Sequence, residues 1–275
     1  MKRMLALGWL ESTCWAVDDN TLKIMADIAE GITGNTSIEA LLSSQPMALE
    51  GRVGTKSGHA MQKRGRVAVI SVRGVISRYA NLFQLICGGT SVQLLAKDYN
   101  QALNDPSVSA IMLDIDSPGG EVSGIHEMSE MIFAGRSKKK TVAYIGGQGC
   151  SAAYWLASSA SEVVIDATAS VGSIGVVMTL QRNKKNENIE FVSSQSPKKH
   201  LDPASSAGRS ECQKHLDVLA GVFIDRVARN MKVNRSTVLK DFGRGGVLMG
   251  KAAVKNRMVH KLGSFEGVIK QLGGV

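Results

Sequence analysis

The chain has 275 residues, of which 44% are hydrophobic and 21% charged, and its formal net charge is +9. This composition excludes wholesale disorder, and the length can bury a substantial core without disulfides or a structural metal. Aromatic residues, at 5%, are too sparse for a base-stacking surface, so we interpret the charge as a basic, solvated exterior and expect no specific nucleic-acid partner.

The cysteines and the N-terminus carry no sign of a metal centre or a membrane span. Cys14, Cys87, Cys150 and Cys212 are scattered, with no CxxC pair and no Cys/His pair at zinc spacing. We therefore expect reduced thiols, no metal and no cofactor. The basic start and short apolar run of residues 1–10 imitate a signal peptide, but acidic residues follow closely. No apolar run approaches the ~20 residues of a membrane span, so we expect a cytoplasmic protein without a membrane anchor.

Residues 1–66 are predicted to be an N-terminal arm and a flexible linker. Within the first 30 residues, apolar side chains recur at near-helical spacing, which predicts a helical arm. These side chains are Leu22, Ile24, Met25, Ile28 and Ala29. Residues 31–65 are punctuated by glycine, serine and threonine and run into a basic patch, a composition typical of a linker.

Residues 67–275 are predicted to form one α/β domain, because apolar runs of strand length alternate with segments of helical periodicity. The strands are predicted at 67–76, 108–115, 141–145 and 162–166, with helices between them at about 94–103, 121–135 and 151–160. This alternation predicts parallel strands joined by right-handed crossovers. Continuous apolar runs indicate strands covered on both faces. A long amphipathic helix over 206–231 and a helical tail with glycine breaks complete the domain.

Three glycine-rich stretches follow predicted strands, at the edge where open α/β sheets bind ligands. The stretch 116–120, DSPGG, can present bare amides to an oxyanion, although a tight turn explains it as well. The stretch 146–154, GGQGCSAAY, opens a helix, so Ser151 would be a nucleophile or a helix cap there. Cys150 is a rival nucleophile. The stretch 170–176, SVGSIGV, would let an extended peptide approach the backbone, or would be a kinked buried strand.

In this order, the stretches DSPGG, GQGCSAAYWLA and SVGSIGV resemble the signal peptide peptidase A family of serine peptidases. Val192 to Lys199 resembles the segment that carries that family's catalytic lysine, and Gly250 to Gly263 resembles its closing helix and turn. The resemblance covers roughly residues 67–273. It implies an α/β, Clp/crotonase-like fold, a layered parallel sheet built from ββα-type repeats. Length and domain organisation are similar to the tailed-phage branch, whose members process capsid proteins during prohead assembly.

The resemblance implies a serine endopeptidase with a Ser-Lys dyad. Ser151 would be the nucleophile and Lys199 the general base, with Lys198 as the second candidate. Neighbouring side chains on a strand point to opposite faces, so only one of the two lysines could reach Ser151. The remaining implied site residues all lie in the glycine-rich stretches: Gly119 and Gly120 for the oxyanion, and Ser170, Gly172 and Ser173 for substrate binding.

Further functions stay open at this point. No histidine lies between His126 and His200, so a Clp-type Ser-His-Asp triad lacks its base, and a lysine can replace it only if burial keeps the amine neutral. A crotonase-like acyl-thioester enzyme shares the layered architecture but needs no serine nucleophile. Also open are a peptidase that degrades signal or membrane peptides and a non-enzymatic assembly component with a decayed site.

The expected partners follow from the same resemblance. They are a protein or peptide substrate bound extended along a strand edge, further copies of the chain in a ring, and capsid or portal proteins. Helix 206–231 could form the contact between copies, although packing on its own sheet is the commoner use of such a helix. In a phage setting the expected location is the host cytoplasm, the prohead or the virion.

Overall fold

The computed structural model describes residues 14–17, 61–80, 88–179, 193–196, 198 and 201–275. Within these ranges the strands are β1 Trp15–Val17, β2 Met61–Arg64, β3 Val67–Arg73, β4 Ile76–Ser77, β5 Thr90–Ser91, β6 Ala110–Ser117, β7 Gly119–Glu121, β8 Lys140–Cys150, β9 Glu162–Ile165, β10 Ser170–Gly172, β11 Val247–Met249 and β12 Lys261–Leu262. The helices are α1 Val92–Asn104, α2 Ile125–Gly135, α3 Ala152–Ser158, α4 Ser206–Met231, α5 Arg235–Asp241, α6 Gly250–Lys255 and α7 Phe265–Gln271, with a 3-10 turn at Gly243–Gly245.

Two sheets form the fold. The larger has the order β11-β10-β8-β6-β3-β2, and β9 joins it between β8 and β12. Pairing along β10, β8, β6 and β3 is parallel, and the outer strands β11 and β2 are antiparallel to their neighbours. The smaller sheet has the order β1-β7-β4-β5. The expected α/β architecture with parallel strands is therefore confirmed.

Alternate residues of the central strands face two separate cores, which explains their continuous apolar runs. Ala68 and Ile70 of β3 pack into the core that α1, α2 and α3 cover. Val67 and Val69 of the same strand face the opposite side, where α7 packs through residues such as Ile269. A one-residue shift of β3 would exchange these two faces, so the pairing of β3 with β6 is strongly specified.

Helix α4 has the predicted bounds, and among the described residues its apolar packing on the domain is concentrated in its C-terminal half. Phe223 is fully buried and stacks on Trp155 of α3, with ring centroids 4.6 Å apart and planes inclined by 9°. The buried Asn230 amide donates hydrogen bonds to the Ser158 and Ser159 hydroxyls at 3.1 and 2.9 Å. Val218, by contrast, is 66% exposed. The helix is thus anchored to α3 at one end and presents much of its length to solvent.

Several elements differ in extent from the sequence-based expectations. Trp15–Val17 and Met61–Arg64, inside the predicted arm and linker, are strands because they pair with β7 and β3. The side chains that predict a helical arm, residues 22–29, lie outside the described residues. Strand β8 continues to Cys150, past the predicted end at residue 145, because β6 and β10 hydrogen-bond to its glycine-rich half. Residues 121–124, predicted as the start of a helix, precede α2.

The stack between Phe223 and Trp155 gives a testable stability effect. Phe223→Ala is expected to lower the free energy of unfolding by about 3–4 kcal/mol, because it removes a fully buried ring and leaves a cavity. Val218→Ala, on the exposed part of the same helix, is the matched control and should change it by less than about 0.5 kcal/mol. Urea unfolding followed by tryptophan fluorescence measures both. Equal effects would contradict the anchoring of α4 through Phe223.

Candidate active site

Ser151 occupies the turn between β8 and α3 in a backbone conformation that serine rarely adopts. Its φ is 53° and its ψ is −120°. Its amide donates to the Gly172 carbonyl at 2.7 Å, and its carbonyl accepts from the Trp155 amide at 3.0 Å. A non-glycine residue with positive φ is strained, and such strain persists where neighbouring contacts fix it. A sharp strand-to-helix turn also carries the nucleophile of α/β-hydrolases; here Ser151 is buried, with 1% of its surface exposed.

Gly119 brings a second segment of backbone directly against Ser151. Its φ is 112°, and a Cβ atom here would lie 3.0 Å from Ser151 Cβ and would collide with the Ala16 carbonyl oxygen. A Cβ atom at Gly120 would collide with the Ile76 carbonyl of β4. Glycine is therefore required twice in succession: once to reach the serine and once to pass β4.

The two glycine amides have different environments. The Gly119 amide donates to the Ser117 hydroxyl at 3.2 Å. The Val122 amide donates to the Cys14 carbonyl at 3.1 Å, and hydrogen-bonded pairs alternate in an antiparallel ladder. Because Ala16 is the register partner of Gly120, the Gly120 amide faces the Ala16 carbonyl. The Gly119 amide is therefore paired with a side chain of its own segment, whereas the Gly120 amide faces β1.

The structure also identifies an amide that the sequence-based prediction missed. Ala152 is the first residue of α3, so its amide has no carbonyl partner within the helix. It immediately follows Ser151, at the position that the oxyanion donor takes in the nucleophile turn of α/β-hydrolases. The signal was present in the sequence, since any residue directly after a nucleophile at a helix start offers such an amide.

The predicted substrate-binding residues 170–173 lie behind and beside the serine turn. Ser170 and Gly172 belong to β10, which pairs with β8 on one side and β11 on the other. The Gly172 carbonyl holds the Ser151 amide, and Ser173, with φ of 52°, donates its amide to the Gly246 carbonyl at 2.8 Å. These contacts hold the turn in place. Further along the chain, Val177 pairs with β1 instead: its backbone and that of Trp15 exchange hydrogen bonds of 2.8 and 2.9 Å.

The two candidate lysines are distinguished by what surrounds Lys198. Its ammonium donates to Glu211 of α4 at 2.7 Å, and its side chain is 70% exposed. Hydrogen bonds from Lys198 and Lys214 lower the pKa of Glu211, which keeps the carboxylate charged. A solvated ammonium paired with a carboxylate is a poor general base, because the base must be neutral. Lys199 lies outside the described residues.

Two polar contacts, one buried and one exposed, stabilise the surroundings of the serine turn. Tyr154 of α3 donates its hydroxyl to the Met258 carbonyl at 2.7 Å, and complete burial raises the pKa of this phenol well above its ordinary value. The phenol therefore stays a neutral donor. On the other side, the Asp116 carboxylate accepts the Gln148 amide at 2.9 Å, which ties the end of β6 to the glycine-rich half of β8.

Metal and membrane features are absent from the described part of the chain. Across these residues, no group of three or more His, Cys, Asp or Glu side chains could hold a metal ion. In the same ranges, no helix combines the length and the apolar composition needed to cross a bilayer.

The collision at Gly120 predicts a loss of stability. Gly120→Ala is expected to lower the free energy of unfolding by about 2–4 kcal/mol, because the methyl group would separate β7 from β4. Gly175→Ala is the matched control, since a Cβ atom there meets nothing within 4 Å. Thermal unfolding measures the difference between the two variants. A Gly120→Ala protein as stable as the control would contradict the close approach of β4.

Comparisons with known proteins identify the family of the chain. The sequence model of peptidase family S49 matches residues 134–273. Capsid assembly protease C of Escherichia phage lambda is 28% identical over 249 residues, which cover 86% of this chain and 56% of that protein. Head-tail preconnector protein GP5 of Enterobacteria phage P21 is 34% identical over 113 residues, which cover 41% of this chain and 23% of that protein. The chain thus spans just over half of the first relative and under a quarter of the second.

A solved structure shares the fold. A serine-to-alanine mutant of the 1510-N membrane-bound stomatin-specific protease superposes with a TM-score of 0.50 at 13% sequence identity, covering 76% of this chain and 86% of that one. At this identity the similarity concerns architecture alone, and it confirms the expected Clp/crotonase-like arrangement of parallel strands and covering helices.

Proposed function

Because the chain belongs to peptidase family S49, we propose that it is a serine endopeptidase in which Ser151 is the nucleophile and Lys199 the general base. The observation that carries the proposal is the position of Ser151. Ser151 lies in a strained strand-to-helix turn, and Gly119 approaches it closely. A Cβ atom added at Gly119 would lie 3.0 Å from the Cβ atom of Ser151. Such a turn presents a hydroxyl to a substrate while adjacent backbone amides receive the developing charge.

In the proposed reaction, the Ser151 hydroxyl attacks a peptide carbonyl and its proton passes to the neutral amine of Lys199. The carbonyl oxygen becomes an oxyanion, which accepts hydrogen bonds from the Gly120 and Ala152 amides. The protonated lysine then gives its proton to the leaving amine as the C–N bond breaks. Water repeats the sequence on the acyl-enzyme, with the same amine as base. No step uses a metal or an organic cofactor.

The assignment of Lys199 rests on the motif and on the surroundings of its neighbour. Lys198 is exposed at the surface and forms an ion pair with Glu211, so this side chain is engaged by a partner other than Ser151. An amine that loses water on burial favours its neutral form, as the proposed base requires.

The proposed biological setting is phage head maturation. Capsid assembly protease C and a head-tail preconnector protein are among the relatives, and on this basis we infer that the substrates are capsid or scaffold proteins. The setting would be the host cytoplasm or the prohead. The exposed part of α4, which includes Val218 and Val222, is compatible with contacts to further copies of the chain in a ring. Ser170, Gly172 and Ser173 would support the substrate strand by holding the serine turn.

A fluorophosphonate probe tests the proposal against a crotonase-like acyl-thioester enzyme. We expect the probe to label Ser151, identified by mass spectrometry of the digested protein, and the Ser151→Ala variant to remain unlabelled. A coenzyme A thioester should neither bind nor slow labelling. Saturable binding of the thioester without labelling of Ser151 would overturn the peptidase assignment in favour of acyl-thioester chemistry.

A further inference from the structure

Strand β1 lies in the groove beside Ser151 in the manner of a bound peptide. It pairs antiparallel with β7, with Ala16 opposite Gly120. On its other side, Trp15 exchanges both of its backbone hydrogen bonds with Val177. A peptide held between two backbones in this way uses main-chain groups for affinity and side-chain pockets for selectivity.

We propose that Cys14–Val17 is a tethered, substrate-like strand that blocks the active-site groove until it is displaced. The inference rests on the proposed function, because it identifies what fills that same site. Without β1, strand β7 would present an open edge of amides and carbonyls to the groove, and an extended substrate would need the same groups that β1 now uses. Substrate and β1 therefore compete for one position.

The register identifies the position of each residue of the strand. The Ala16 carbonyl faces the Gly120 amide. A Cβ atom built at Gly119 would collide with this carbonyl and would lie 3.0 Å from Ser151 Cβ, so the Ala16 carbonyl lies close to Ser151. Ala16 thus stands where the residue with the attacked carbonyl would stand. Trp15 and Cys14 follow on its N-terminal side, bonded to Val177 and Val122. Ala16 is 1% exposed, so the residue at this position of the strand is enclosed by the protein.

Burial and tethering both favour occupancy of the groove. Trp15 is fully buried, and burying a large aromatic side chain stabilises the bound strand. Because the strand belongs to the same chain, its local concentration at the groove is on the order of millimolar. A free peptide must compete with this tethered strand for the groove. We therefore expect Ser151 of the intact chain to react much more slowly than Ser151 of a chain whose groove is open.

The first experiment releases the strand after folding. A recognition sequence for a specific protease is inserted between residues 41 and 50 of the full chain, and the protein is purified intact and then cut and diluted. The rate of fluorophosphonate labelling at Ser151 should rise about tenfold or more on cutting. An excess of synthetic peptide covering residues 11–20 should restore the slow rate. The same peptide with Trp15 replaced by alanine should restore it poorly.

Point variants of the uncut chain give a second measurement. Trp15→Ala should accelerate labelling of Ser151 several-fold, because it weakens the bound strand. Trp9→Ala removes the same kind of side chain outside β1 and should leave the rate unchanged. Equal labelling rates in the cut, uncut and Trp15→Ala proteins, with Ser151 labelled in all three, would overturn the proposed block while leaving the peptidase assignment intact.

A binding measurement separates this inference from the proposed chemistry. A fluorescent peptide of residues 11–20 should bind the cut and diluted Ser151→Ala protein, and bind the uncut protein at least about tenfold more weakly. This readout needs no catalysis, so it supports the groove occupancy even if no form of the chain labels at Ser151. Absence of binding to the cut protein would overturn it.

Discussion

Ser151→Ala is expected to lower kcat/KM for peptide hydrolysis by about 10⁴-fold or more, because removal of a nucleophile disables every step that depends on it. The change deletes one oxygen atom and leaves the backbone bonds to Gly172 and Trp155 in place. The variant should therefore fold and unfold like the parent. A fluorogenic peptide or a purified capsid protein serves as substrate, and circular dichroism checks the fold.

Cys150→Ala is the matched control for this prediction. Cys150 precedes the serine, is buried, and lies close to the Ser170 carbonyl through its thiol at 3.9 Å. If the thiol were the nucleophile, this variant would lose activity and Ser151→Ala would keep it. We expect the reverse, and a Ser151→Ala protein that still hydrolyses peptides at the parental rate would remove the proposed nucleophile.

Lys199→Ala is expected to lower kcat/KM by about 10³-fold or more, whereas Lys198→Ala should stay within about threefold of the parent. The two residues are adjacent and chemically identical, so the pair is its own control. Removing Lys198 loses its exposed ion pair with Glu211, and exposed ion pairs contribute little to stability. The opposite ranking of the two variants would assign the base to Lys198.

The pH dependence gives the lysine assignment a further test. A lysine base works only as the neutral amine, so kcat/KM should rise with pH as the ammonium loses its proton and level off above its pKa. Lys199→Arg keeps the positive charge but cannot lose its proton in the accessible range, so it should be as inactive as Lys199→Ala. Substantial activity in the arginine variant would contradict general-base catalysis at this position.

Much of the domain could be predicted from local sequence patterns. The helix over 206–231 has its predicted bounds, because apolar periodicity is a property of neighbouring residues. The glycine-rich stretches also lie beside Ser151 as expected: Gly119 adjoins the serine, and Gly172 accepts its amide. These positions were accessible from sequence because a close backbone approach requires glycine, and glycine is visible in the letters.

Contacts between distant backbones were not accessible in this way. The groove between β7 and Val177 is filled by Trp15 and Ala16, in a segment that the sequence pattern assigned to a helical arm. Every residue except proline offers the same main-chain hydrogen-bonding groups. The sequence of a three-residue strand such as β1 therefore does not reveal which other strand it will pair with. The partner of Lys198 was hidden for a related reason, since only the path of α4 brings Glu211 to it.

The sequence alone was therefore sufficient to predict the class of fold, the serine at the start of a helix and the glycine residues beside that serine. These features depend on side-chain size and on short-range periodicity. Tertiary structure alone decided that Gly120 pairs with Ala16, that Lys198 pairs with Glu211 at the surface, and that β1 lies between β7 and Val177. Those outcomes depend on chain segments that are separated in sequence and meet in three dimensions, as Ala16 and Gly120 do.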